Sequence, residues 1–231
     1  MKTNLHEYTE ELAKKIGQEG GDYFVHCYYE WSKSWIRWAQ FKNLFASGPE
    51  RIELLKKSSD IFFSHVFHSF FEHTVICICR LTDPAESGRD NRNKNMSVLQ
   101  LRQFIQNPES LEKLDILYDT MNKEIKPVRK LRDKEIGHLD LPTALGLAPA
   151  SENARNVKEI DKSLNAIFEI FNFFNNEFFE QKLEKTLKLD GRDEFWLLNI
   201  LYRGTQDWAA EYKSGEFTSI PDTLRKRHYS Q

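Results

Sequence analysis

The sequence predicts an all-α protein, and three observations support this fold class. Apolar residues recur at three- and four-residue steps along nearly the whole chain, which is the period of an amphipathic helix. Glycine and proline account for only 10 and 7 of 231 residues, so few positions interrupt such helices. The valine–threonine alternation typical of strands does not occur. We therefore expect a helical bundle with long crossover connections and a C-terminal helical extension.

The apolar periodicity divides into seven predicted helices. They span residues 2–17, 22–46, 50–81, 97–106, 109–136, 153–187 and 192–213. Ser47-Gly48-Pro49 separates the second helix from the third. The segment from Asp83-Pro84 to Asn95 is polar and rich in turn formers, so it is predicted to be a mobile loop. Pro142, Gly146 and Pro149 mark another break.

Composition predicts one domain over residues 1–231. Hydrophobic residues make up 40% and charged residues 29% of the chain, which is an ordinary globular composition large enough for one substantial core. The 33 basic and 35 acidic residues give a net charge of −2, so the chain as a whole does not attract nucleic acid or membranes. Any nucleic-acid site must be local.

The cysteines and the N-terminus predict a cytoplasmic protein. Cys27, Cys77 and Cys79 are an odd number with no Cys-x-x-Cys spacing, and they suggest no disulfide framework. Met1 to Ile16 alternates charged with apolar residues and lacks the uncharged core of a signal peptide. We therefore expect a reducing compartment and no secretion.

The most hydrophobic stretch, Ile61 to Cys79, approaches the length that spans a bilayer. Glu72 and three histidines interrupt it, and a hydrocarbon environment penalises such groups heavily. We interpret the stretch as a buried central helix and expect no membrane partner.

The segment from Lys123 to Lys134 is the most basic part of the chain. Its basic residues are Lys123, Lys126, Arg129, Lys130, Arg132 and Lys134. Only Glu124 and Asp133 oppose them, which leaves a local excess of four positive charges. Such an excess is enough to hold a phosphate backbone, although a solvated helix face with ordinary surface pairing is the alternative.

Arg132 and His138 form the candidate catalytic pair at the end of this basic segment. Arginine stays charged and grips phosphate oxygens with a planar fork, while histidine exchanges a proton near neutral pH. Six residues at about 100° each place the two side chains roughly 120° apart on a regular helix. Either Gly137 relaxes the last turn, or a second copy of the segment completes the site in a dimer. Pro127 is expected to kink or restart the helix that carries them.

Two other patterns have competing interpretations, and the first is a group of possible metal ligands. His65, His68 and Glu72 fall within one narrow helical arc and have the chemistry of metal ligands, but no second cluster completes such a site, so we predict no metal and no cofactor.

An aromatic stripe at three- and four-residue steps indicates either a base-stacking surface or a buried interface. Its members are Phe24, Tyr28, Trp31, Trp35 and Trp38. Phe168, Phe171, Phe174 and Phe178 repeat the pattern on a later helix. We favour burial, because aromatic side chains supply so much apolar area.

The string from Lys126 to Asp140 resembles the signature of the HEPN superfamily (higher eukaryotes and prokaryotes nucleotide-binding), in particular its abortive-infection branch. The core match is Arg132, the polar Asp133, four more residues and His138. Arg80-Leu81-Thr82-Asp83, at the end of a hydrophobic helix, also resembles a segment of that branch. The resemblance covers about residues 50–185, and we expect helices within residues 1–47 and an extension at 190–231 to pack on this core.

The resemblance implies a bundle that dimerises so that two motifs face each other and act as a metal-independent endoribonuclease in phage defence or a toxin–antitoxin-like system. His138 would act as general base or acid, Arg132 would neutralise phosphoryl charge, and Asp133 would orient Arg132 or the substrate. RNA and an antitoxin or regulatory protein are the implied partners. Where some family members carry a tyrosine that is modified with nucleotide, this chain has Asp140, so that regulation is not predicted.

Four basic residues are predicted to bind RNA around this motif: Lys126, Arg129, Lys130 and Lys134. A non-catalytic nucleotide-binding or assembly module remains the alternative, because a buried Arg–Asp pair with a capping histidine also holds a bundle together. A catalytic site predicts an accessible basic cleft at a dimer interface, whereas a structural role predicts burial within one protomer.

Overall fold

The computed structural model describes residues 5–87, 93–136, 157–183, 185 and 193–214, and its fold is all-α. The α-helices are α1 (Leu5–Phe45), α2 (Pro49–Thr82), α3 (Pro108–Leu131), α4 (Val157–Phe179) and α5 (Glu194–Ser214). A 3₁₀-helix spans Val98–Phe104, and a π-helical turn, Arg132–Ile136, follows α3 directly. Two-residue strands, β1 (Glu86–Ser87) and β2 (Asn93–Lys94), form an antiparallel pair.

The chain divides into two compact units. The larger unit draws on residues 1–41 and 68–188, and the smaller unit on residues 42–67 and 189–231. Each unit has a core of its own and is described separately below. The single-domain prediction for residues 1–231 stays a prediction.

The two helices predicted at residues 2–17 and 22–46 are one helix, α1, interrupted only at Gly17. Gly17 has φ 81° and ψ 160°, a backbone region that is essentially restricted to glycine. The helix continues through Gly20. A Cβ at this position would lie 2.9 Å from Phe104 and from Ile16, so the glycine allows these side chains to pack closely. The predicted break between residues 17 and 22 is therefore present at Gly17, whereas residues 18–21 are helical.

The aromatic stripe of α1 forms the core of the larger unit, which confirms burial over base stacking. Phe24, Trp31 and Trp38 are fully buried. The rings of Trp31 and Phe168 of α4 lie 5.0 Å apart in a tilted arrangement, and Phe24 meets Phe171 edge-on at 5.5 Å. Such pairs add to the stabilisation that comes from burying the rings.

The indole N–H groups of this core have partners. Trp31 Nε1 donates to the carbonyl oxygen of Leu164 at 2.9 Å, and Trp38 Nε1 donates to Asp161 Oδ1 at 2.8 Å. A buried donor without an acceptor would destabilise the fold. The two bonds therefore fix the register between α1 and α4 as well as satisfying the indoles.

The burial of apolar side chains on α2 changes along the length of the helix. Near its middle, Ile61 and Phe62 are exposed, whereas Val75, Ile78 and Cys79 near its end are fully buried. Of the described helices, α2 alone is long and apolar enough to cross a membrane, and core helices of soluble proteins satisfy the same criterion. The buried-helix prediction therefore holds for its C-terminal part.

Helix α3 runs through Pro127 to Leu131, so the helix does not restart there, and the alternative of a kink at Pro127 stays a prediction. Proline cannot donate to the carbonyl one turn earlier, at Lys123. Lys123 is exposed, so water can solvate that carbonyl and the helix tolerates the missing bond. At the other end, Asn107 caps α3 by accepting from the backbone N–H of Glu109 at 2.9 Å.

The predicted loop after α2 contains the two short strands, which the sequence did not indicate. Asn95 holds them together, because its backbone N–H donates to the Ala85 carbonyl at 2.9 Å and its Nδ2 donates to the Pro84 carbonyl at 2.8 Å. Residues 88–92, between the strands, lie outside the described residues, and so do the predicted breaks at Pro142, Gly146 and Pro149.

The smaller unit has a compact apolar core in which α5 takes part. Leu44, Leu55 and Phe63 are buried, and Leu198 and Leu201 of α5 pack against them. Asn43 Nδ2 donates to Glu194 Oε1 at 2.6 Å within the same unit. The helical extension predicted after residue 190 is thus present as α5.

Candidate functional site

The end of α2 and the end of α3 meet at the motif. Helix α2 stops at Thr82 because Asp83 precedes Pro84, and a residue before proline is disfavoured in helical conformation. Thr82 is fully buried, and its hydroxyl donates to the Ile78 carbonyl at 2.8 Å. This arrangement fixes Asp83 beside the last turn of α3.

Arg129 binds the C-terminus of α2. Its Nη2 donates to the carbonyl oxygen of Thr82 and lies 3.1 Å from Thr82 Oγ1. The last carbonyls of a helix lack intrahelical partners and carry partial negative charge, which a cation stabilises. Arg129 also lies 3.5 Å from Asp83 Oδ1, and 27% of its side chain is exposed. In this structure its guanidinium binds the end of α2, and the RNA-binding role predicted for Arg129 stays a prediction.

Arg132 lies at the junction of α3 and the π-helical turn, between two carboxylates. Its Nη1 donates to Asp83 Oδ1 at 3.1 Å, and its Nε donates to Asp133 Oδ1 at 2.7 Å. Burial tends to lower the pKa of Arg132, but the bonds to Asp133 and Asp83 outweigh burial and raise that pKa overall. Arg132 is therefore a permanent cation, with 28% of its side chain exposed. Single π-helical turns of this kind often occur at functional sites.

Three of the predicted RNA-binding residues are exposed cations. Lys126, Lys130 and Lys134 follow one another at four-residue steps and all face solvent. Residues four apart are neighbours on a helix surface, so Lys126 and Lys130 form a basic row on α3 that Lys134 extends into the π-helical turn. In the described part of the structure, these three lysines have no carboxylate within ion-pair distance.

Next to the motif, apolar side chains at the ends of α2 and α3 are buried. Cys79, Val128 and Leu131 are almost fully buried there. Burial raises the pKa of the Cys79 thiol to about 11, although Arg132 and Arg129 oppose that shift. The thiol is therefore protonated at neutral pH, and we assign Cys79 a packing role.

The structure brings together Arg132, Asp133 and the end of α2, but it does not place the second catalytic candidate. His138 and Gly137 lie outside the described residues. The proposed relaxation of the last turn at Gly137 and the completion of the site in a dimer therefore both remain predictions. What the structure does establish is the environment of Arg132 within one protomer.

The alternative metal site has two of its three members close to each other. His68 Nδ1 lies 3.9 Å from Glu72 Oε1, and His65, like both of them, is exposed on α2. Among the residues that the structure describes, no three His, Cys, Asp or Glu side chains converge as metal ligands.

The sequence did not identify Asp83 as a site residue, yet Asp83 contacts both arginines. A signal was present, because Arg80-Leu81-Thr82-Asp83 resembles the same family branch as the motif. That segment precedes Arg132 by about 50 positions, however, and spacing along the chain does not predict a contact over such a distance. The structure supplies this link.

The all-α fold, with an arginine held by carboxylates at the end of α3, agrees with the resemblance to HEPN domains. The sequence matches the HEPN_AbiU2 family (AbiU2) over residues 2–191. The chain therefore belongs to this abortive-infection family, which acts in phage defence. Neither the curated proteins nor the solved structures include a match. The family match ends before α5 begins at Glu194.

Proposed function

We propose that the protein is a metal-independent endoribonuclease whose site contains Arg132 and His138. The observation that carries this proposal is the state of Arg132, which is a permanent, part-exposed cation at the end of a helix that also presents solvent-facing lysines. Membership of an abortive-infection HEPN family supports the same function, because degradation of RNA would stop the growth of the infected cell and of the phage inside it. The lysines would attract the RNA backbone, and Arg132 would contact the phosphate that reacts.

The reaction needs one cation and proton transfer at two oxygens. The ribose 2′-hydroxyl attacks the adjacent phosphorus, a new O–P bond forms, and the bond to the 5′ oxygen breaks. The products are a 2′,3′-cyclic phosphate and a 5′-hydroxyl, so no water or redox partner is consumed. His138 would take the 2′ proton or deliver a proton to the leaving oxygen, and each transfer contributes about 10²–10⁴-fold. Arg132 would stabilise the charge on the phosphoryl oxygens.

Two proton-transfer groups suggest a homodimer as the active form. A second copy of the motif would supply a second histidine across the interface, so that one acts as base and the other as acid. We also propose a cytoplasmic location, where the RNA is, and an antitoxin or regulatory protein that restrains the enzyme.

The test is cleavage of total RNA and transfer RNA by the purified full chain in the presence of chelator. Wild type is expected to leave cyclic phosphate ends, and Arg132→Ala and His138→Ala are each expected to lose at least about 10²-fold in rate. Arg102→Ala is the matched control, because Arg102 also pairs with a carboxylate, Asp115, at 2.9 Å. Cleavage that survives both motif substitutions would refute the proposed site.

The metal alternative is tested in the same assay. His68→Ala removes one of the three candidate ligands on α2 and leaves the motif intact, so its activity is expected to equal that of wild type. Loss of cleavage on adding chelator, together with a defect in His68→Ala, would instead favour a metal-dependent enzyme.

One observation favours a non-catalytic module as the second candidate. Two carboxylates of the same protomer already bind Arg132, as a purely structural arginine requires. A folded wild-type dimer that cleaves no RNA, and whose stability falls strongly on Arg132→Ala, would support this candidate.

A further inference from the structure

The carboxylate of Asp83 is the point on which both arginines of the motif converge. Its Oδ1 lies 3.1 Å from Arg132 Nη1 and 3.5 Å from Arg129 Nη1. Arg129 lies in the last turn of α3 and Arg132 begins the π-helical turn that follows, while Asp83 comes directly after the end of α2. A single anion therefore sets the position of two guanidinium groups.

Asp83 is itself firmly placed. The fully buried Thr82 precedes it, Pro84 follows it, and Arg129 binds the carbonyl of Thr82. Only 29% of the Asp83 side chain is exposed, against 57% for Asp133, the other carboxylate on Arg132. Solvent weakens the contact to Asp133 more than the contact to Asp83.

The two carboxylates together define the orientation of Arg132. They bind Nε and Nη1, and neither contact uses Nη2. An arginine side chain has many rotamers when it is unconstrained, and two hydrogen bonds to a planar guanidinium fix the direction of its plane. The Nη2 edge then has a defined direction in which to meet a phosphoryl oxygen.

We propose that Asp83 is a positioning residue, which acts through Arg132 to hold its guanidinium in the orientation that stabilises the reacting phosphate. This inference rests on the proposed ribonuclease function and extends the site from one helix to two. A residue that orients an arginine affects the rate of the chemical step more than substrate affinity.

The experiment compares RNA cleavage by the full chain and by Asp83→Asn, Asp83→Ala and Asp83→Glu. Asp83→Asn keeps the shape and removes the charge, and its kcat is expected to fall about 10–100-fold while KM changes less than about 3-fold. Asp83→Ala should fall further, and Asp83→Glu should recover part of the rate. Asp115→Asn, which breaks the exposed pair with Arg102, is the matched control and should retain wild-type kcat.

A second readout does not depend on activity. The guanidinium N–H resonances of Arg132, assigned by their loss in Arg132→Lys, should show restricted rotation in wild type and faster rotation in Asp83→Asn. The positioning role would be overturned if Asp83→Asn left the rotation or kcat unchanged. A raised kcat in Asp83→Asn would also overturn it, because it would identify Asp83 as a competitor of RNA for Arg132. If wild type cleaves no RNA, the proposed function fails, while the resonances still decide whether Asp83 holds Arg132.

Discussion

The aromatic interface between α1 and α4 and the motif at the end of α3 use polar contacts for different purposes. In the interface, Trp31 and Trp38 are fully buried and each indole has one acceptor. In the motif, the guanidinium of Arg132 is part-exposed and shared between two carboxylates. The first arrangement specifies a single packing, whereas the second keeps a cation oriented and accessible. We therefore expect stability to depend on the interface and activity on the motif.

Trp31→Ala should produce the largest loss of stability, because it removes a fully buried indole and its bond to Leu164. Truncation of a buried aromatic residue costs about 3–5 kcal/mol, which urea unfolding followed by circular dichroism would measure. Trp35→Ala, at a half-buried position on the same helix, is the control and should cost less. Equal losses would show that burial in the interface does not set stability.

Trp38→Phe isolates the polar part of the interface. Phenylalanine keeps a six-membered aromatic ring but lacks the pyrrole part of the indole, so Asp161 loses the N–H donor at 2.8 Å. A hydrogen bond to a charged group is worth about 1.5–3 kcal/mol, so the free energy of unfolding should fall by that amount. In an Asp161→Asn background the same substitution should cost less. Because the asparagine of this variant can still accept through its amide oxygen, an identical cost in both backgrounds would mean that the charge of Asp161 adds nothing to the bond.

Alkaline pH should destabilise the fold through its buried thiols. Burial raises the pKa of Cys27 to about 12 and that of Cys79 to about 11, from an ordinary value near 9. Between pH 9 and 11 the unfolded chain loses these protons while the folded chain keeps them, so stability falls as pH rises. The slope is at most about 1.4 kcal/mol per pH unit for each thiol.

Unfolding curves at pH 8, 9, 10 and 11 would measure this slope. Cys79→Ala should reduce the slope, since it removes one of the two buried thiols that produce it. A slope that does not change in this variant would show that Cys79 does not contribute to the loss of stability at high pH.

Arg132→Ala should have the smallest effect on stability. Because the ion pairs of Arg132 are open to solvent on one side, their loss should change the free energy of unfolding by less than about 1 kcal/mol, while RNA cleavage is lost. Urea unfolding alongside the cleavage assay separates the two effects. A loss of more than about 2 kcal/mol would place the motif with the structural interface and favour the non-catalytic module.

The interface could be predicted from the sequence because its signal is local. Phe24, Trp31 and Trp38 repeat at the period of a helix, and so do Phe168 and Phe171, so each helix reveals its buried face without reference to the other. Periodicity does not specify which faces meet. The contact between Trp31 and Phe168 needed the structure.

The motif could be predicted only in part, since its partners are distant in sequence. Arg132 and Asp133 are adjacent and were identified together, whereas Asp83 joins them from another helix. Arg129 belongs to the same basic run as Lys130, and composition does not distinguish a cation that caps a helix from one that faces solvent. The difference depends on where α2 ends, and Pro84 determines that end.

The kink in α1 implies two kinds of mutational tolerance within four residues. At Gly17 a Cβ would meet nothing within 4 Å, so the backbone angle alone restricts the position, and every L-residue should suffer much the same strain whatever its size. At Gly20 the neighbouring Phe104 and Ile16 impose the restriction, so the penalty should grow with side-chain volume. A saturation scan of α1 would therefore give a flat profile at one glycine and a graded profile at the other.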